Sequence, residues 1–141
     1  RLMTRQLWHL TLADLVFSLS FIVQYVLTIL RLWRMTDCFC YVSHVAISTG
    51  LLTSCLVETH LSLALVLCLC RCSRAMCVLR EGLFVVWPLG VLLSTYATVS
   101  TGMEWHDGEC SRRGNDLILG AAECVCGLIS ATCLVASLIW V

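Results

Sequence analysis

Residues 38–70 are CFCYVSHVAISTGLLTSCLVETHLSLALVLCLC, and Glu58 is the single charged residue among these 33 positions. A helix needs about 20 apolar residues to cross about 30 Å of hydrocarbon, so this stretch is long enough to span a bilayer. Three other apolar stretches bounded by charges are also long enough, at 7–30, 83–103 and 117–141. The sequence therefore predicts an all-α, polytopic transmembrane helix bundle with four spanning helices.

The composition argues against an ordinary soluble domain. The chain has 141 residues, of which 60% are hydrophobic and 13% charged, and its mean hydropathy is +0.92. Soluble domains average roughly 45–50% apolar and about 25% charged residues. A chain this short cannot bury all of this apolar area in a core. We therefore expect the remaining apolar surface to face lipid. We treat the chain as one transmembrane domain and, from its ends at Arg1 and Val141, expect an excerpt of a longer protein.

The charged residues narrow the possible functions. Nine arginines balance nine acidic residues, and lysine is absent. A balanced charge lacks the basic surface expected of a nucleic-acid-binding protein. Without lysine, the chain cannot form a Schiff base or a lysine-dependent phosphate loop. No nucleophile with a base and no metal-binding quartet is evident, so we expect neither an enzyme nor a metal site.

Arginines near the span ends predict the orientation in the membrane. One side of the predicted bundle carries five of them, Arg1, Arg5, Arg71, Arg74 and Arg80. The opposite side carries four, Arg31, Arg34, Arg112 and Arg113. We expect the side with five arginines to face the cytoplasm, which places an Arg71–Arg80 loop inside and the 104–116 loop outside.

Small and polar residues recur on one face of each predicted span, a pattern that favours packing between helices over contact with lipid. In the first span this predicted stripe comprises Thr11, Asp14, Ser18, Tyr25 and Thr28. In the third it comprises Trp87, Gly90, Ser94, Ala97 and Thr101.

Three carboxylates lie on such stripes, Asp14 in the first span, Glu58 in the second and Glu123 in the fourth. A carboxylate near mid-membrane costs about 2.5–3.5 kcal/mol on insertion scales. Each is therefore either protonated or hydrogen-bonded to serine and threonine across the bundle, or it is part of an ion, proton or ligand pathway. His60 follows Glu58 by two residues, so the two point away from each other on a helix and cannot share a metal. His60 is either a hydrogen-bond donor in the packing or an axial ligand to a haem or pigment.

The eleven cysteines include two groups at opposite predicted boundaries. Cys110 lies on the outer side with Cys38 and Cys40, where an oxidising exterior permits a disulfide to either one. The inner group is Cys68, Cys70, Cys72 and Cys77. Cysteines two residues apart diverge on a helix, which disfavours a metal cluster. They are either small apolar packing residues or palmitoylation sites.

The order of these motifs resembles the second to fifth helices of the seven-transmembrane G-protein-coupled receptor superfamily. Leu12-Ala13-Asp14-Leu15 is similar to a motif of the second helix, whose aspartate lines an interior sodium and water site. The long stretch 38–70 resembles the tilted third helix, which begins at a cysteine bonded to the second outer loop. Residues 56–61 are similar to the valine-glutamate segment of secretin-like receptors, and the layout resembles cyclic-AMP receptors. The usual acidic-arginine-aromatic triplet is missing, since Arg71 stands between two cysteines.

The resemblance implies a plasma-membrane receptor that binds an extracellular ligand and activates a heterotrimeric G protein by helix rearrangement. It implies Na⁺ near Asp14, interhelical hydrogen bonds at Glu58, and a disulfide from Cys110 to Cys38 or Cys40. The loop facing the G protein would carry Arg71, Arg74 and Arg80.

Two alternatives remain open at this point. The first is a small four-helix subunit of a membrane complex, either purely structural or holding a haem or pigment through His44 or His60. The second is a transporter fragment, in which Asp14, Glu58 and Glu123 would form a proton or ion relay.

Overall fold

The computed structural model describes residues 2–30, 37–106, 109–114 and 117–140. These residues form four helices, α1 (Leu2–Leu30), α2 (Asp37–Leu69), α3 (Ser73–Thr101) and α4 (Leu117–Trp140). Two short antiparallel strands, β1 (Met103–His106) and β2 (Glu109–Arg112), lie between α3 and α4. All four helices are long and apolar enough to cross a membrane. The prediction of an all-α bundle of membrane-spanning length is confirmed.

Helix α2 is the central element of the bundle. It packs along α1, α3 and α4, whereas α3 and α4 contact each other only slightly. Its buried positions are rich in small hydroxyl residues, namely Ser43, Ser48, Thr49, Thr53 and Ser54. Small residues let helix backbones approach closely within a membrane, and their hydroxyls bond between helices.

Two glycines permit close contacts between helices. A β-carbon added to Gly50 of α2 would lie 2.6 Å from the backbone nitrogen of Phe17 on α1. A β-carbon added to Gly90 of α3 would collide with the Thr53 hydroxyl on α2. Glycine is needed at both positions because only its bare backbone leaves room for the neighbouring helix.

A tight turn joins α2 to α3. The Cys72 N–H donates to the Leu67 carbonyl at 3.0 Å and the Arg71 N–H to the Cys68 carbonyl at 3.1 Å. With Arg71 at a φ of 54°, this is a Schellman motif that carries arginine where glycine is usual. The chain then enters α3 at Ser73.

The prediction of a loop from Arg71 to Arg80 is therefore wrong, because Arg74 and Arg80 lie on α3 and only Arg71 lies in the turn. The third helix begins ten residues before the predicted span at Leu83. Charged residues end the apolar stretch without ending the helix, since arginine and glutamate are good helix formers. For the same reason α1 begins at Leu2 rather than Leu7.

At its other end α3 stops at Thr101, two residues before the predicted limit at Met103. Gly102 adopts a φ of 68°, and its N–H donates to the Thr98 carbonyl at 3.1 Å. Met103 then opens the hairpin, in which it pairs with Arg112 and His106 pairs with Glu109. This hairpin was not predicted. It contacts α2 through β1, so it lies over the Cys40 end of the central helix.

The predicted stripe packs against the bundle on α3 but not on α1. On α3, Gly90, Ser94, Ala97 and Thr101 of the predicted stripe are buried and face the bundle, as expected.

On α1 the buried residues are instead Gln6 and Ala13, whereas Thr11, Ser18 and Tyr25 of the predicted stripe are exposed. The hydroxyl of Thr11 donates to the Leu7 carbonyl of its own helix at 2.8 Å. A threonine that bonds its own helix needs no partner on another, so polarity alone did not identify the packing face.

Candidate functional site

A hydrogen bond joins α1 to α2 at Asp14. The Ser54 hydroxyl donates to Asp14 Oδ1 at 2.7 Å. Ser54 is buried, whereas the Asp14 side chain is exposed. Glu58 follows Ser54 by one helical turn and is also exposed, so the two carboxylates open on the same side of α2.

This side of α2 is left open, because α1 and α4 have little contact with each other among the described residues. Toward the Arg71 end the opening becomes a largely apolar groove of about 250 Å³. Its lining includes Gln6 of α1, Ser62 and Cys68 of α2 and Leu134 of α4. We call the surface that carries Asp14, Glu58 and Ser62 the open face.

The contact between α2 and α4 is also polar. The Thr59 hydroxyl shares its proton between the Cys55 carbonyl of its own helix at 2.9 Å and the Cys126 carbonyl of α4 at 3.3 Å, and Ser130 donates to Thr59 at 3.3 Å. The half-buried Glu123 lies on α4 within electrostatic range of the Cys55 thiol, as does Glu58. The structure thus places Glu58 and Glu123 near the same cysteine, whereas Asp14 is held by Ser54.

His60 connects three helices. The Gln6 amide nitrogen lies 2.8 Å from His60 Nδ1, and His60 Nε2 lies 2.7 Å from the Leu79 carbonyl. Because an amide nitrogen can only donate and a carbonyl can only accept, Nδ1 accepts and Nε2–H donates. Both ring nitrogens are therefore used for packing, which fits poorly with an axial ligand for haem or pigment.

Gln6 is the partner that the sequence analysis missed. It is almost fully buried, and its amide also lies 3.4 Å from the His60 carbonyl. A lone glutamine inside an apolar stretch is the signal that could have identified it, since an amide facing lipid would leave its hydrogen bonds unmade.

At the same end, α1 also contacts α3 directly. Trp87 Nε1 donates to His9 Nδ1 at 3.0 Å. A cleft of about 480 Å³ lies beside this pair and is lined in part by Arg5 and Arg80. Together with His60, the Trp87–His9 bond fixes the first three helices to one another near the arginine-rich end.

Hydroxyl groups and a histidine line the contact between α2 and α3 nearer the Cys40 end. The Thr98 hydroxyl donates to the Ser94 carbonyl at 2.7 Å and so accepts from His44 Nδ1, which lies 3.0 Å away. One turn along, the hydroxyls of Thr49 and Ser94 lie 2.6 Å apart. All four side chains are buried. Because a hydroxyl can rotate to suit its partner, these hydrogen bonds can be kept or re-formed when α2 and α3 shift slightly relative to each other.

A disulfide closes the far end of the bundle. Cys40 and Cys110 are bonded with an S–S distance of 2.02 Å, while Cys38 is free and exposed. The predicted bond from Cys110 is confirmed, and Cys40 is its partner. It links the first turn of the central helix to β2, and an exposed ion pair of 3.0 Å between Arg113 and Glu104 also spans the hairpin.

The arginine-rich end carries exposed charges and exposed thiols. Arg80 pairs with Glu81 at 3.2 Å, and both side chains are more than half exposed. Arg71 and Arg74 are exposed as well. The four nearby cysteines, Cys68, Cys70, Cys72 and Cys77, are free and exposed. Within the described ranges, no group of three or more potential ligands is arranged to hold a metal ion.

Comparison with known proteins finds no family model that matches the chain, and no curated protein or solved structure that is significantly similar to it. The functional interpretation therefore depends on the arrangement of the chain's own residues.

Proposed function

We propose that this chain forms the second to fifth helices of a receptor similar to G-protein-coupled receptors. In this proposal the receptor lies in the plasma membrane, binds an extracellular ligand at the disulfide end and activates a heterotrimeric G protein at the Arg71 end. The observation that carries the proposal is the Cys40–Cys110 bond, because it fastens the start of the central helix to the hairpin between the next two helices.

The bridge supports a ligand-binding role because it holds irregular structure over one end of the bundle. Loops that bind ligands need a rigid scaffold beneath them. Here β2 is tied to α2 through Cys110, and β1 continues directly from α3. A ligand bound under this hairpin would contact both helices at once, so its binding energy could favour one of their relative positions.

The polar contacts around α2 support a helix rearrangement. Its neighbours are held by interhelical bonds such as Thr49–Ser94, Ser54–Asp14 and Ser130–Thr59. Hydrogen bonds between membrane helices average only about 0.6 kcal/mol in double-mutant cycles. Exchanging a few of them therefore costs little, which is what a two-state transducer requires.

The open face supports the presence of further helices in the complete receptor. Asp14 and Glu58 would be costly if lipid covered them, and ionisable groups within membranes almost always face a bundle interior or a water-filled cavity. Additional helices packed on this face would enclose both carboxylates. The oxygens of Asp14 and Ser54 are hard ligands, and together with water they suit a small cation such as Na⁺.

The Arg71 end is proposed to meet the G protein. Arg71, Arg74 and Arg80 give this end its positive charge, and Arg74 and Arg80 extend it along the first turns of α3. A helical arrangement presents these charges on a firmer support than the loop expected from the sequence. The missing acidic-arginine-aromatic triplet means that any switch here must use other residues.

Nucleotide exchange tests this proposal. The natural full-length protein containing this segment is reconstituted in nanodiscs with each of the four classes of heterotrimeric G protein, and binding of radiolabelled GTPγS is followed without added ligand. We expect faster exchange than with empty nanodiscs for at least one class. Replacement of Arg71, Arg74 and Arg80 by glutamine should abolish it, whereas replacement of the outer Arg112 and Arg113 should not.

The proposal is wrong if no class of G protein responds. It is also wrong if the inner and outer arginine variants behave alike. Proton uptake by proteoliposomes that is lost in Asp14→Asn would favour the carboxylate relay of a transporter instead.

A further inference from the structure

Four of the cysteines lie together at one end of the molecule. Cys68 is on the last turn of α2, Cys70 and Cys72 belong to the turn that follows, and Cys77 is on the second turn of α3. All four are free and exposed. We call this group the thiol tip.

We propose that the thiol tip is a site of S-acylation, at which one or more of its cysteines carry a long-chain fatty acid as a thioester. This modification does not depend on the receptor function proposed above. It follows from three features of the tip: exposure, depth and the side of the membrane on which it lies.

Exposure separates these four cysteines from Cys55, Cys126 and Cys133, whereas the free cysteines Cys38 and Cys124 are exposed as well. Cys126 is buried, and Cys55 and Cys133 are half-buried, as expected of cysteines that serve as small apolar packing residues. The tip cysteines are not enclosed between the described helices, although Cys68 is among the residues that line the apolar groove. Packing therefore does not account for their presence, and their sulfur atoms are accessible to a reactant.

The depth of the tip suits an acyl chain. At a rise of about 1.5 Å per residue, the 33 residues of α2 extend about 50 Å, well beyond the hydrocarbon thickness of about 30 Å. The exposed Arg71 and Arg74 place this end at the level of the lipid headgroups. A thioester formed there can return its acyl chain to the bilayer, beside Val78, whose side chain is 74% exposed.

The disulfide determines the side of the membrane. Disulfides form and persist in oxidising compartments, whereas the cytosol keeps thiols reduced. The Cys40–Cys110 bond therefore places its end of α2 on the exterior or luminal side. The tip lies at the opposite end of the same helix, in the cytosol, where long-chain acyl-CoA is available. The excess of arginine at the tip predicts the same orientation.

The reaction is a simple acyl transfer. The cysteine sulfur attacks the carbonyl carbon of a long-chain acyl-CoA, and a new bond between sulfur and carbon forms. The bond from that carbon to the sulfur of CoA breaks, and CoA leaves as a thiol with the proton that the cysteine gives up. No electrons are transferred, so no oxidant is needed.

Peptide mapping of the unaltered protein tests the proposal. The natural full-length protein is expressed in eukaryotic cells with an alkyne-bearing palmitate analogue, purified and digested with trypsin. Cleavage after Arg71, Arg74 and Arg80 releases peptides 72–74 and 75–80, each with one tip cysteine. We expect a hydroxylamine-sensitive acyl adduct on at least one of these peptides, or on Cys68 or Cys70 of the peptide 35–71 as located by fragmentation. Unmodified thiols in all of them would overturn the proposal.

Acyl exchange supplies a second measurement with matched variants. Free thiols are blocked, thioesters are cleaved with hydroxylamine, and the released thiols receive a PEG-maleimide mass tag. The variant with Cys68, Cys70, Cys72 and Cys77 all replaced by alanine should lose the hydroxylamine-dependent tags. The control with Cys55, Cys124, Cys126 and Cys133 replaced should retain them.

Formation of the Cys40–Cys110 bond, assayed by non-reducing mass analysis, shows whether each variant has folded. Tags that persist in a folded variant lacking the four tip cysteines would assign the modification elsewhere and refute the proposal.

Discussion

Ser54 of α2 donates a 2.7 Å hydrogen bond to a carboxylate oxygen of Asp14 on α1, although Asp14 itself remains exposed. The bond fixes the position of one carboxylate oxygen on the open face. The other oxygen makes no hydrogen bond to a described residue, so a cation or water can approach it. This arrangement leads to the first prediction.

Sodium should stabilise the natural full-length protein through Asp14. Replacing choline chloride by sodium chloride at equal ionic strength should raise its Tm, because an ion that binds the folded state stabilises it. Asp14→Asn should abolish this increase and Ser54→Ala should reduce it, whereas Glu123→Gln should leave it in place. Equal Tm values for the unaltered protein in the two salts would contradict the prediction.

A single methyl group at Gly50 should separate α1 from α2. The added β-carbon would lie 2.6 to 2.9 Å from three atoms of Phe17, two of them backbone atoms that cannot move independently. We expect Gly50→Ala to lower the free energy of unfolding by about 1–3 kcal/mol, the usual cost of overpacking.

The matched control for Gly50→Ala is Gly127→Ala on α4, where the added carbon would meet no atom within 4 Å apart from its own chain neighbours and the adjacent backbone of its own helix. It should be neutral or slightly stabilising, because alanine favours a helix. Equilibrium unfolding in mixed micelles measures both variants, and equal effects would show that the α1–α2 contact is looser than described.

The pair of Gln6 and His60 should be energetically coupled. A double-mutant cycle with Gln6→Leu and His60→Leu should give a coupling of about 0.6 kcal/mol, and up to about 1.7 kcal/mol, as found for hydrogen bonds between membrane helices. The same cycle with Thr11→Val in place of Gln6→Leu should give none, since Thr11 bonds only its own helix. Additive effects of Gln6→Leu and His60→Leu would show that the bond is not formed.

Loss of the disulfide should destabilise the bundle strongly. The bond joins residues 70 positions apart, and removal of a native disulfide typically costs about 2–5 kcal/mol. We expect Cys110→Ser to lower Tm, whereas Cys38→Ser, two residues from the bonded Cys40, should have little effect. Thermal unfolding in detergent compares the two, and a larger loss for Cys38→Ser would mean that Cys38 is the true partner.

Glycine at residue 71 should stabilise the turn between α2 and α3. Arginine in the left-handed region costs roughly 1–2 kcal/mol, and glycine avoids this cost at the end of a helix. Arg80→Gly makes the same chemical change in the interior of α3 and should instead destabilise by about 1 kcal/mol. The two substitutions should therefore change the free energy of unfolding in opposite directions. Destabilisation by Arg71→Gly would contradict the described turn.

The sequence was sufficient to predict the helices because each apolar stretch had to satisfy its backbone within lipid. It also predicted the packing face of α3 and a disulfide from Cys110. It did not predict which face of α1 packs, because hydroxyls such as that of Thr11 bond their own helix as readily as another. The contacts with α2 define that face, through the close approach of Phe17 to Gly50 and the bond between Gln6 and His60.

The sequence analysis also missed the hairpin and the true start of α3. The dipeptide Asp107-Gly108 favours a tight hairpin connection and stands between strands that pair His106 with Glu109. The sequence contains this signal, but the sequence analysis predicted only a loop at 104–116. The start of α3 was harder to predict from the sequence. The length of an apolar stretch indicates where the hydrocarbon ends but not how far the helix continues into water.

A cryo-electron microscopy map of the natural full-length protein in nanodiscs tests the central claim most directly. The receptor account predicts seven spanning helices, with one before α1 and two after α4, and helices packed on the open face so that Asp14 and Glu58 lie inside the bundle. Four helices alone, with Asp14 and Glu58 in contact with acyl chains, would contradict it.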